Sequence, residues 1–147
     1  MSIDDTLDHI HKVQARIEEM RNRLMIRAAN HDNSKLVEPE LSGYEQLSTK
    51  LADVVYGSDA YRAALAEAKP VIEHHYKYND HHPEHTSYGI AGMSLLSLME
   101  MLADWKGASE RTKQGSIAQS LVYNKERFGI SDQLASILEN TVKELGW

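Results

Sequence analysis

The chain has 147 residues, of which 41% are hydrophobic and 26% charged, so it is long enough for one domain with a real core and is not disordered by composition. It contains no cysteine, which excludes disulfides, cysteine-ligated zinc and thiol nucleophiles, and its net charge of −6 argues against a broad nucleic-acid surface. No run approaches the roughly 18 apolar residues of a membrane helix. The N-terminus MSIDDTLDHIHK is acidic and amphipathic rather than secretory, so the expected compartment is the cytoplasm, with no membrane partner.

Three prolines and eight glycines leave long intervals that read as helix, and no run alternates with period 2. The expected class is all-α: a compact bundle of about six helices in a single domain over 1–147, with a helical extension at 107–147. The first helix is predicted from about Ile3 to Asn30, with Leu7, Ile10, Val13 or Gln14, Ile17, Met20 and Leu24 forming one apolar stripe. Asp4 and Asp5 suit the positive end of its dipole. His31 to Ser42, with Pro39, reads as a loop or short turn. A second helix is expected from Gly43 to Val55, burying Leu47, Leu51, Val54 and Val55. Gly57-Ser58-Asp59 is a break with Ser58 or Asp59 as N-cap, and 60–69 is helical. Pro70 either opens a further helix or kinks this one, and the following turns fade near Asn79. HHPEHTSYG is read as a loop, and Ile90 to Lys106 as the most apolar helix. Helices at about 108–127 and 131–145 complete the chain, the last capped by Ser131. Tyr44, Tyr56, Tyr76 and Tyr78 are read as packing residues, with a base pocket as the alternative.

Eight histidines are out of proportion, and five lie between 74 and 85. Without cysteine, imidazole and carboxylate are the strong metal ligands left. His31-Asp32 offers a nitrogen and a carboxylate to one cation, although alone it is also an ordinary surface turn. Lys35, three residues on, suits a phosphate oxygen. In EHHYKYNDHHPEH, His75 and Asn79 share a helix face, as do Lys77 and His81 if the helix extends that far. His82 precedes Pro83 and is expected to be extended. Asp104, within MLADW, is either a surface carboxylate sharing a face with Glu100 or a metal ligand.

In this order, HDNSK, the two histidine pairs and LADW resemble the HD-domain metal-dependent phosphohydrolases. His31-Asp32 matches the signature doublet, HDNSK is similar to the H-D-x-G-K of HD-GYP-type members with Ser34 for glycine, and Asp104 matches the closing aspartate. More closely, the stretch from RAANHDNSKL to LADW resembles a small uncharacterised bacterial and phage family of HD-like character. The resemblance covers most of 9–106 and none of 107–147, and it implies an HD-like bundle with a metal-site core at 31–106.

The resemblance implies one or two divalent ions, Mn, Fe, Co or Zn rather than Mg, held by His31, Asp32, His75, His81, His82 and Asp104. A metal-activated water would attack a phosphate ester or anhydride, with a nucleotide as the implied substrate class. Asp32, Lys35 and His85 are the implied catalytic residues, with His74 as an alternative acid, and Lys35 and Lys77 would hold the substrate. Glu73, His74, Asn79, Asp80 and Glu84 would orient the imidazoles. His9 with Val13 matches the family's upstream histidine, with His11 nearby. A continuous helix, however, separates His9 from His31 by 22 residues, or about 33 Å. Three resolutions stand: the helix breaks near Arg21-Asn22, the 74–85 block replaces the ligand, or an antiparallel homodimer supplies His9 from a second chain. The second is preferred. Competing functions are a non-catalytic helical metal-binding or interaction protein and a di-iron oxygenase on the same scaffold.

Overall fold

A computed structural model describes residues 2–55, 58–111 and 113–147. Seven α-helices and three 3-10 turns make up the secondary structure, with no strand among the described residues, so the all-α expectation is met. Tyr56 and Gly57 lie outside the described residues.

The chain divides into two units, residues 1–31 and 32–147. The first is helix α1, Ile3–Asn30, continuous over 28 residues. Ser2 caps it: its hydroxyl accepts from the Asp5 amide and the Asp5 carboxylate accepts from the Ser2 amide, a reciprocal capping box. No break occurs at Arg21-Asn22, so that route from His9 to His31 is removed.

The second unit opens with a 3-10 turn, Asn33–Leu36, followed by α2 (Glu40–Leu51), α3 (Asp59–Glu67) and α4 (Lys69–Tyr78). Helix α2 starts three residues earlier than the sequence predicts because the chain turns into it directly at Pro39, which stands at its N-cap. It also ends at Leu51, and Val55, expected on the buried side, is 76% exposed. The side chain of Ser58 caps α3. Pro70 opens α4 within its first turn, where a missing N–H costs nothing, and does not kink α3. Because α4 stops at Tyr78, His81 lies beyond the helix rather than on the Lys77 face.

The predicted 81–89 loop contains a 3-10 turn at Pro83–His85 and the start of another at Gly89–Gly92. That second turn, followed by the Ser94 cap, moves the start of α5 to Leu95, and the helix runs to Ser109. Helices α6 (Ile117–Phe128) and α7 (Asp132–Glu144) follow. Gly129, at φ 60, closes α6 in the left-handed conformation that glycine tolerates best, and the Ile130 amide returns to the Lys125 carbonyl. Ser131 caps α7 as expected.

Helix α2 packs against α3, α4 and the 33–36 turn, while α6 packs against α5 and α7. The apolar core lies in the second group: Leu102 of α5, Ile117 and Leu121 of α6, Ile130, and Leu138 and Val142 of α7 are buried together. The C-terminal segment, which carries no part of the family resemblance, therefore supplies most of the core. The first group buries Ala64 of α3 together with two polar residues, Glu40 and His75.

Candidate metal centre

Four residues of the second unit bring one ligand atom each within 4.8 Å of one another: Asp32, His75, His81 and His82. Asp32 stands at φ 56, the one non-glycine residue in the left-handed region among those described. Aspartate tolerates this conformation better than most residues, and such backbone strain often accompanies function. Its two oxygens do different work. Oδ2 accepts from the Lys35 ammonium at 2.6 Å, while Oδ1 lies 3.3 Å from His75 Nε2 and 3.5 Å from His81 Nε2.

His75 projects from the last turn of α4 and is 2% exposed. Its Nδ1 lies 2.8 Å from Oε2 of Glu40, which is itself fully buried. The surrounding donors fix the proton on that nitrogen. Ser34 Oγ donates to the same Glu40 oxygen at 2.8 Å, and Asn79 Nδ2 donates to Ser34 Oγ at 2.7 Å and to the His75 carbonyl at 2.8 Å. With both amide hydrogens of Asn79 used, His75 Nδ1–H donates to Glu40 and leaves a lone pair on Nε2. The other Glu40 oxygen lies 2.7 Å from His74 Nδ1. Burial pushes the Glu40 carboxyl upward, but donation by His74, Ser34 and His75 outweighs it and holds the group below the ordinary glutamate value.

His81 repeats this arrangement. It is 2% exposed, its Nδ1 lies 3.1 Å from Oε1 of Glu100 on α5, and its Nε2 turns toward Asp32. His82 is extended, at φ −95 and ψ 131, as a residue before proline should be. Its Nε2 lies 2.9 Å from that of His75. Burial, then the charges of His81 and His75, push the His82 imidazole down to about 3, so the ring stays neutral at ordinary pH. Asp104 and Asp32 pull in the opposite direction.

Two imidazoles whose outer nitrogens face carboxylates, and whose inner nitrogens converge on a third carboxylate, form the carboxylate–histidine–metal pattern. Four ligands about 2.0–2.1 Å from a tetrahedral centre stand about 3.3 Å apart, the spacing found around Asp32 Oδ1. The donor set fits a divalent ion of borderline softness.

The other expected residues fall in several places. Asp104, half-buried on α5, lines a cleft of about 680 Å³ together with His82, Glu84, Tyr76, Trp105 and Arg127. Asn79 supports His75 through the hydrogen bonds above. His74 reaches Glu40 rather than the Asp32 cluster. Glu73 is exposed beside Lys69 rather than against an imidazole, at 3.5 Å. Glu84 accepts from Arg127 at 2.9 Å, and Asp80 accepts from Ser97 at 3.1 Å. His85 Nδ1 donates to the Tyr76 carbonyl at 2.9 Å. Lys77 is exposed, its ammonium 5.6 Å from the Tyr78 ring centroid. Tyr44 packs edge-on to His75 with centroids 5.7 Å apart, and burial, then the Glu40 charge, raises its hydroxyl above the ordinary tyrosine value. His31 closes α1, one peptide bond before Asp32, and His9 and His11 are exposed on α1.

Glu40 and Glu100 were not anticipated as partners of the imidazoles. Glu40 lies 35 residues before His75, in a stretch read as loop, and no spacing rule links the two. Glu100 was legible only as a neighbour of Asp104 on one helix face.

No curated protein and no solved structure matches the chain. A protein family of unknown function, DUF5662, matches residues 1–144. That match spans nearly the whole sequence, and the chain belongs to this family.

Proposed function

We propose that the protein is a metal-dependent phosphohydrolase of HD-like type, binding a divalent transition metal through Asp32, His75, His81 and His82. The observation that carries the metal reading is the paired orientation of His75 and His81. Each gives Nδ1 to a largely buried glutamate and turns Nε2 toward the same oxygen of Asp32. Asp104, which lines the cleft with His82, is the proposed further ligand. A divalent ion held there supplies Lewis-acid polarisation of a phosphoryl oxygen and a more acidic water.

The chain's own groups have defined tasks in this reading. Lys35 fixes Asp32 by holding Oδ2, which leaves Oδ1 for the centre. Glu40 and Glu100 set the tautomers of His75 and His81. The cleft has the size of a small-molecule site and receives the leaving portion of the ester. His85, held by Nδ1 to the Tyr76 carbonyl, is the proposed proton donor through Nε2. Lys35 and Lys77 are the proposed cations for phosphate oxygens. The phosphoryl substrate and its nucleotide class rest on the resemblance of HDNSK and LADW to the HD superfamily.

One observation favours a second reading. Four protein ligands complete a tetrahedral shell, as structural sites do, whereas catalytic sites keep a position open. A phosphate-release assay separates the two. Protein loaded with Mn or Co is incubated with aryl phosphate mono- and diesters and with nucleotides. Turnover that falls at least 100-fold in Asp32→Asn supports the hydrolase. Full metal loading without turnover on any ester supports the structural centre.

A further inference from the structure

Helix α1 forms a unit by itself, and a single helix cannot bury its own apolar face. It contains no buried residue, and Ile3, Leu7, Ile10, Val13, Ile17 and Met20 are all exposed. From Ile3 to Leu24 the stripe spans 21 residues in six steps of three or four, a mean of 3.5. The stripe holds one face of the helix for about six turns, long enough to pair with a second helix along its length.

The two halves of α1 differ in charge: 3–13 carries three acids and Lys12, and 14–30 carries four arginines and two acids, Glu18 and Glu19. Asp4, Asp5 and Asp8 lie at its start, and Arg21, Arg23 and Arg27 near its end. Parallel pairing of two copies sets like charge on like at both ends. Antiparallel pairing sets the acidic end of each copy beside the basic end of the other. A two-fold axis between Val13 and Gln14 also matches the stripe to itself except at its centre, where Val13 faces Gln14: Ile3 faces Leu24, Leu7 faces Met20, and Ile10 faces Ile17. The same register places Asp4 beside Arg23 and Asp8 beside Glu19, so the charge preference for this pairing comes from the ends of the helix. Such a closed, self-complementary contact is the commonest form of homo-oligomer.

We infer that α1 is a dimerisation helix whose partner is the α1 of a second copy, paired antiparallel about Val13. This holds whether or not the metal centre is catalytic. Sedimentation equilibrium of the full chain at tens of micromolar is expected to give twice the 16.6 kDa chain mass. The double variant Ile10→Lys/Ile17→Lys is expected to give the chain mass. Trp105 and Trp147 both lie in the second unit, so unchanged tryptophan emission shows that this unit remains folded in the variant.

Orientation is read independently, because the chain has no native cysteine. Val13→Cys, beside the axis, is expected to form an intermolecular disulfide under mild oxidation. Leu7→Cys, facing Met20 of the second copy, is expected not to. A wild-type chain that sediments at 16.6 kDa overturns the dimer, and equal cross-linking of the two cysteine variants overturns its orientation.

Discussion

The Nδ1 atom of His75 lies 2.8 Å from Oε2 of Glu40, a carboxylate with no solvent exposure that joins α2 to the last turn of α4. The same glutamate takes His74 on its other oxygen. One buried acid therefore orients a fully buried ligand of the proposed centre and ties together the two helices around it. Glu40→Gln keeps the shape but weakens the acceptor. Its metal affinity is expected to fall about 10–100-fold, the usual cost of losing such a partner. Competition against a chelating dye measures it. Glu40→Ala is expected to lose roughly 1–3 kcal/mol of stability as well, because donors are left buried without acceptors.

Gly43 lies one turn beyond Glu40, where an added methyl group would collide with the Val71 side chain of α4. Alanine has the better helix propensity, by about 1 kcal/mol. The collision is expected to win, at about 1–3 kcal/mol, because the rigid β-branched Val71 has no flexible end to move aside. Gly43→Ala should therefore lower the urea midpoint and, by prising α2 from α4, weaken metal binding. An unchanged or raised midpoint would show that the α2–α4 contact yields freely.

His82 is held near pKa 3 against an ordinary value of 6.5. Between these values the unfolded chain binds the proton and the folded chain does not, so acid favours unfolding there. The metal-stripped protein is expected to keep the His82 contribution above about pH 6.5 and to lose it progressively toward pH 3. Urea midpoints at pH 7, 6, 5 and 4 test this, and His82→Asn should flatten the decline.

Leu138 of α7 is 5% exposed in the core shared by α5, α6 and α7. Leu138→Ala is expected to cost about 2–5 kcal/mol through lost contacts and a residual cavity. Thermal unfolding should shift down accordingly, while metal stoichiometry stays unchanged at a temperature where the variant is folded. A parallel loss of metal would couple the core to the site.

What the sequence made legible follows from the range of the interactions involved. The bounds of α1 and the Ser131 cap are local matters of periodicity and capping chemistry, and the structure agrees with both, while at Pro70 it takes the first of the two readings the sequence leaves open. The start of α5 was misplaced because an apolar run continues through Ile90 without marking the 3-10 turn that precedes Ser94. At the site, the histidine-rich block was visible as composition, but its supports were not. Glu73 stands beside the histidines in sequence yet faces Lys69, while Glu40 and Glu100 reach them only through tertiary packing.

The central claim is that Asp32, His75, His81 and His82 hold a metal. The most direct measurement is metal content by elemental analysis, after loading with Zn or Mn and exhaustive dialysis, for wild type and for His75→Ala/His81→Ala. The account predicts at least one tightly held ion per wild-type chain and its loss from the double variant. Wild-type protein that retains no ion, or a double variant that retains as much as wild type, would contradict it.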